Sequence, residues 1–174
     1  MSQLTGINRE TKKGQGGIKS VNLTEFENVT NQSIVDGVAK FNTEAGVWKN
    51  YAVDYESGSN FIDKSVGSRK EGTVYNDQTL ALIFVRYTLA KRNELEALSE
   101  STICANVEMN NGETFMLGFE NGLDLSEGIG SSGESLEVGS KLTPTFIGKE
   151  FKPAPSVSSA DLASIKAGEA VIAA

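Results

Sequence analysis

Apolar and polar residues alternate one by one along much of this chain, the spacing of strands that bury one face. Residues 18–23 and 35–41 are strand-like. In residues 46–55, Val47, Lys49, Tyr51, Val53 and Tyr55 share one parity, and Trp48, Asn50, Ala52 and Asp54 share the other. That alternation, rich in aromatic and β-branched residues, predicts a strand. Residues 78–87 predict the clearest one. Leu80, Leu82 and Phe84 point one way and Ala81, Ile83 and Val85 the other, so both faces should be covered. At ~3.3 Å per residue it would span about 33 Å. Residues 102–109 place Ile103, Ala105, Val107 and Met109 inward and Thr102, Asn106 and Glu108 outward. Asn111-Gly112 then signals a tight hairpin, returning through Phe115, Leu117 and Phe119. A last strand is expected over 136–147, with Val138, Leu142 and Phe146 on one face. Pro144 has no N–H to donate, so this strand should lie at an edge or be kinked there.

Two short helices fit the remaining pattern. Lys91 and Arg92 would oppose the positive end of a helix dipole, so the first helix is expected at 93–101. Asn93 and Glu96 would form its capping box, with Leu95 and Leu98 facing the core. Ser158 and Asp161 form a second capping box ahead of Leu162 and Ile165, with Gly168 ending that segment. Residues 56–72 and 128–135 are rich in Gly and Ser and read as loops. The first would be about 17 residues long, and loops of that length are usually functional or disordered. The apolar pair Phe61-Ile62 inside it would be buried either on a neighbouring surface or back on its own domain.

Seven or eight strands without β-α-β alternation predict a mainly β fold. The expected form is a β-sandwich or partly closed barrel with one short packed α-helix. A flexible N-terminal arm (1–17) would precede the sandwich domain (18–152), and a C-terminal segment (153–174) with a possible short helix would follow. The small apolar residues at its end should be tied either to the domain or to a partner.

Composition narrows the chemistry. The 174 residues carry 16 Lys and Arg against 23 Asp and Glu, a net charge of −7. Such a balance opposes holding nucleic acid or an acidic membrane surface. There is no histidine and one cysteine, Cys104. Ser-His-Asp and Cys-His nucleophile arrangements, His-ligated metals, Cys-based zinc sites and intrachain disulfides are therefore excluded. Cys104 fits a reducing compartment as a small buried apolar residue. Neither a secretory signal nor a membrane-anchoring stretch is evident, so an intracellular product is expected.

The motifs present have plainer explanations. Gly128-Ile129-Gly130-Ser131-Ser132-Gly133 matches GxGxxG, but a strand-like segment follows where a dinucleotide site needs a helix. The carboxylate pairs Asp54/Glu56, Glu94/Glu96 and Asp124/Glu127 fit strand ends, turns and a helix start. No catalytic residue, cofactor or metal is expected. The N-x-S/T triplets beginning at Asn22, Asn28 and Asn31 lack a secretory context.

From 77 to 155 the chain has a long apolar strand, then Leu89-Ala90-Lys91-Arg92-Asn93-Glu94-Leu95 opening a helix. Asn111-Gly112 with Phe115 and Gly118 follows, then Asn121-Gly122-Leu123-Asp124-Leu125, a Gly/Ser loop, and a strand ending Phe146-Ile147-Gly148-Lys149-Glu150. This order, covering slightly under half of the chain, resembles the tail-tube and tail-neck structural proteins of tailed bacteriophages, especially those of Bacteroidota-type hosts. The resemblance implies a non-enzymatic virion protein, made in the host cytoplasm and located in the tail. Its sandwich subunits would join sheets across copies into rings, commonly hexameric. Rings would stack into a conduit for viral DNA, which passes without specific binding during genome ejection. Other copies and other virion tail proteins would be its partners. A tube terminator or neck connector is the nearest alternative.

The strand pattern agrees, because a long strand with an exposed edge is a liability in a monomer and a joint in an oligomer. Interface candidates are Phe61 and Ile62 for ring-to-ring docking, and Leu80, Leu82, Ile83, Phe84 and Val85 for the sheet forming the tube. The loop 56–72, the N-terminal arm and the C-terminal segment would reach adjacent rings. Acids facing the lumen would repel DNA from the wall. A second class remains open: a β-sandwich module binding carbohydrate or a host-surface ligand on an aromatic platform of Trp48, Tyr51 and Tyr55.

Overall fold

A computed structural model describes residues 6–7, 15–53 and 58–173. The N-terminal arm falls mostly outside the described residues. Residues 16–17 are held, however, since the Asn110 side chain and backbone N–H donate to the carbonyls of Gly16 and Gly17. The fold is mainly β, built from antiparallel sheets packed as a sandwich.

Among the described residues, eleven strands and two α-helices occur in the order β1 (Ile18–Glu25), β2 (Thr30–Val35), β3 (Val38–Asn42), β4 (Lys49–Tyr51), β5 (Asn60–Ser68), β6 (Thr73–Ala81), β7 (Phe84–Val85), α1 (Leu89–Ser99), β8 (Ile103–Met109), β9 (Thr114–Leu117), β10 (Asp124–Ser131), β11 (Lys141–Glu150) and α2 (Ser159–Ala167). The first sheet has the order β4-β1-β8-β9. The second has the order β10-β11-β6-β5, with β7 also on β11. Strands β2 and β3 form a separate hairpin.

The core lies between the two sheets. Val21, Leu23, Ile103, Ala105, Val107 and Leu117 of the first sheet meet Leu80, Leu82 and Phe146 of the second. The opposite face of the first sheet is buried as well. Cys104, Met116 and Phe119 pack under Ala39 and Phe41 of the hairpin, Trp48, and Ile165 and Val171 near the C-terminus. This third layer corrects the inside-outside pattern expected for 102–109. Asn106 and Glu108, expected outward, are buried. Glu108 takes Lys166 of α2 and Lys19 as partners, together with the Ser20 hydroxyl. Burial pushes its carboxyl up, but hydrogen bonds from Lys166 and Ser20 and the two lysine charges outweigh that and hold it below the usual range.

The C-terminal segment is part of the domain. Ser156 bridges β3 and β9, and the Val171 and Thr43 backbones bond each other reciprocally. Helix α2 begins at Ser158, which caps Asp161 N–H at 3.2 Å, and ends at Gly168 in the left-handed conformation, as its residues predict.

Other elements depart from expectation. The strand expected over 78–87 begins earlier, at Thr73, and divides into β6 and β7. Thr145 pairs with Ala81 and Leu142 with Phe84, so both pieces keep one register along β11. The break lies at Leu82, opposite Pro144. Leu82 N–H donates to the Pro144 carbonyl at 3.0 Å, but Pro144 returns no bond. The proline therefore interrupts its neighbour from within the sheet. Helix α1 starts at Leu89, ahead of the expected Asn93, because Thr88 caps it by accepting from the Lys91 N–H at 3.3 Å, while the Lys91 ammonium reaches back to the Val85 and Arg86 carbonyls. Parts of both supposed loops are strand: residues 60–68 form β5, and residues 128–131 complete β10, which begins at Asp124. Of the strand expected over 46–55, Lys49–Tyr51 is regular among the described residues, and residues 54–55 lie outside them.

The turn after β9 joins the two sheets. Gly118 turns the chain with φ +64° and donates its N–H to Gln78 Oε1 of β6 at 2.9 Å. The buried Glu150 carboxylate accepts from the Glu120 and Asn121 N–H groups at 2.9 and 3.0 Å. Burial raises the Glu150 pKa despite these bonds, and the Glu120 charge adds to the rise.

Candidate functional site

Strand edges distinguish the two sheets. In the first sheet, the outer edge of β9 is bonded by residues 155–157. Met116 N–H donates to Pro155 at 2.9 Å, and Val157 N–H to Thr114 at 3.2 Å. The other edge, β4, has only three residues. In the second sheet, β6 is paired on both sides, by β5 from Asn60 to Ser68 and by β11 from Asn76 to Ala81. Its edges are β5, nine residues long, and β10, eight residues long. Neither has a backbone partner on its outer side among the described residues. An unpaired row of N–H and C=O groups of that length is a template for another strand.

The second sheet also has one face left uncovered by the described residues. Its pairing places Ile62, Lys64 and Val66 of β5 on the same side as Tyr75, Asp77 and Thr79 of β6. Lys141, Thr143, Thr145, Ile147 and Lys149 of β11 follow, then Asp124, Glu127 and Ile129 of β10. Lys64, Asp77 and Lys149 form a row of alternating sign across three strands, and the Lys149 ammonium lies 5.3 Å from the centre of the Tyr75 ring. Lys64, Lys141 and Lys149 balance Asp77, Asp124 and Glu127, so the net acidity of the chain is not concentrated on this face.

The interface candidates from the sequence separate into different environments. Leu80 and Leu82 are fully buried in the chain's own core. Ile83 and Phe84 are half-buried. Phe61 packs on Phe115, with ring centres 5.9 Å apart, and so folds back on its own domain. Ile62 and Val85 are exposed, at 55% and 49%. Sequence reasoning missed Lys64 and Ile129, which lie in segments that read as Gly/Ser loops, and took Glu127 only as one of a carboxylate pair.

The glycines of β10 have a packing explanation. A Cβ at Gly128 would come within 2.8 Å of Leu95, and one at Gly130 within 2.7 Å of the Tyr87 ring. Both glycines lie on the core-facing side, opposite Pro144 and Leu142. They let α1 and the segment before it sit against β10 at the open side of the sandwich. The GxGxxG spacing therefore belongs to a flat strand face and the loop beyond it.

Next to α1 lies a cavity of about 330 Å³ lined by Tyr51, Phe84, Leu95, Leu98, Leu142 and Pro144, among others. The Tyr51 hydroxyl donates to Glu94, which thus serves as a cross-element partner and not as a helix cap. Burial, that hydrogen bond and the Glu94 charge all raise the Tyr51 pKa. Two members of the aromatic platform expected from the sequence are engaged within the chain. Trp48 is buried in the second core cluster and donates its indole N–H to Thr43, Tyr51 packs on Phe84, and Tyr55 lies outside the described residues. Of the carboxylate pairs, Asp54/Glu56 lies outside the described residues, Asp124 accepts from Thr102, and Glu127 is exposed on β10. No helix among the described residues is long and apolar enough to cross a membrane.

Comparison with family models, curated proteins and solved structures finds no match.

Proposed function

We propose that the chain is a non-enzymatic structural subunit of a bacteriophage tail tube, joined edge to edge through its second sheet into rings that stack into a conduit for viral DNA. The observation that carries this reading is the pair of long open edges, β5 and β10, on one sheet. Each neighbouring pair in that sheet is antiparallel, so β5 runs opposite to β10. Rotation about an axis along the strands brings β5 of one copy beside β10 of the next as a further antiparallel pair. Such a heterologous contact closes a ring when the rotation closes.

Side chains on the two edges suit this junction. One antiparallel register sets Ile62 beside Ile129 and Lys64 beside Glu127 on the uncovered face. Ile62 then serves the joint within a ring. The first sheet, the β2–β3 hairpin and α2 all lie on one side of the second sheet, and this bulk fits the larger outer circumference. The uncovered face would line the lumen. Its balanced charge offers DNA no basic track to bind.

Negative-stain microscopy of the purified full chain tests the reading. Tubes identify a tube subunit, and separate rings identify a terminator or neck connector of the same tail. A chain that stays monomeric at high concentration overturns both. Lys64→Glu, facing Glu127, is expected to abolish rings, and Lys64→Glu combined with Glu127→Lys to restore them.

A further inference from the structure

The second sheet has two ends as well as two edges. From Val85, opposite Lys141, to Thr73, opposite Ser68, it extends about 40 Å at ~3.3 Å per residue. At one end is the connection between β10 and β11, residues 132–140. It carries Glu134 and Glu137 and has no Lys or Arg; the nearest bases, Arg86 and Lys141, lie at its root. Leu136 is fully exposed there and Val138 is 48% exposed.

The opposite end has the reverse character. Strand β11 stops at Glu150, opposite Asn76, while β5 and β6 continue to the turn at residues 69–72. Beyond the end of β11 the chain continues through Phe151. The tip carries Arg69 and Lys70 against Glu71, with Lys152 following Phe151. Val74 is 71% exposed and Phe151 is 73% exposed. Single exposed apolar residues are ordinary. Here an exposed apolar pair occurs at each end of one sheet, with acids at one end and an excess of bases at the other.

We infer that these ends are mates: the acidic loop 132–140 of one copy docks on the opposite end of a second copy in the adjacent ring, against its basic tip and the exposed Val74 and Phe151 of that end. The contact joins unlike surfaces along the strand direction and does not close on itself, so it propagates as a stack. It rests on the ring reading above and adds the surfaces that turn rings into a tube, together with their polarity.

Charge exchange in the full chain tests the pairing. Arg69→Glu with Lys70→Glu places like charges across the joint, and all four participating side chains are solvent-exposed, so melting temperatures should match the unaltered chain. Micrographs are expected to show rings without tubes. Adding Glu134→Lys and Glu137→Lys to the same chain should bring tubes back. A third variant, Phe151→Ser, should lower the number of tubes and leave the rings. Tubes undiminished in the Arg69/Lys70 variant, or no recovery in the exchanged chain, overturn the inference while leaving the ring reading intact. Absence of rings from the unaltered chain overturns both.

Discussion

The first sheet ends at β9, whose outer edge is bonded to residues 155–157, and at the three-residue β4. The second ends at β5 and β10, nine and eight residues long, with no outer backbone partner among the described residues. The faces differ in the same way. The first sheet is covered on both sides, by the second sheet and by the hairpin with α2, whereas the second has one face that the described residues leave open. A single chain thus contains a sealed sheet and an unsealed one. The C-terminal segment does the sealing, since it supplies the strand-edge bonds to β9 and part of the apolar cover. Stability should therefore reside in the first sheet with its coverings, and association in the second.

This division can be broken from either side. The largest effect on stability is expected from Ile165→Ala, which removes buried apolar volume between α2 and the first sheet. A loss of about 2–5 kcal/mol in urea unfolding is expected. A smaller effect is expected from Glu108→Gln, which weakens the tie of α2 to β8. It should cost about 1 kcal/mol at neutral pH, because Lys19 and Lys166 are both partly solvent-exposed. Since the folded Glu108 carboxyl is held low, its contribution is fully present above the unfolded value of about 4.3. It is lost as pH falls through the folded value. The gap between the two proteins should therefore narrow below about pH 4.3 and close in stronger acid. Smallest is Ile62→Lys on the open sheet, expected to leave unfolding within about 0.5 kcal/mol of the unaltered chain while preventing ring formation. Equal loss of stability at Ile62 and Ile165 would erase the distinction between the sheets.

The sealed half was the more legible in the sequence. Ile103, Ala105 and Val107 alternate toward the core, Asn111-Gly112 turns the hairpin, and Ser158 with Asp161 opens α2, because each rule there is local. The third layer was not visible, since Asn106 and Glu108 look like surface residues until α2 and its lysine are brought over them. The open half was misread for another physical reason. The inward positions of β5 include Asp63 and Ser65, made acceptable by Ala154 N–H at 2.7 Å and Asn76 at 2.6 Å. Gly128 and Gly130 removed the alternation that would have marked β10. The apolar run 80–85 has the look of an interface, yet Leu80 and Leu82 belong to the core. An edge that joins copies through its backbone leaves little trace in side-chain type.

A disulfide placed across the proposed joint measures the central claim most directly. The one native cysteine, Cys104, is fully buried, and burial raises its thiol pKa. In a chain carrying Ile62→Cys and Ile129→Cys, the accessible thiols are thus the introduced pair. On oxidation, this chain should give a ladder of covalent multimers that ends at the ring and collapses on reduction, while Ile62→Cys alone should give no ladder. A double variant that remains at the mass of one chain under the same conditions would contradict the joining of β5 to β10.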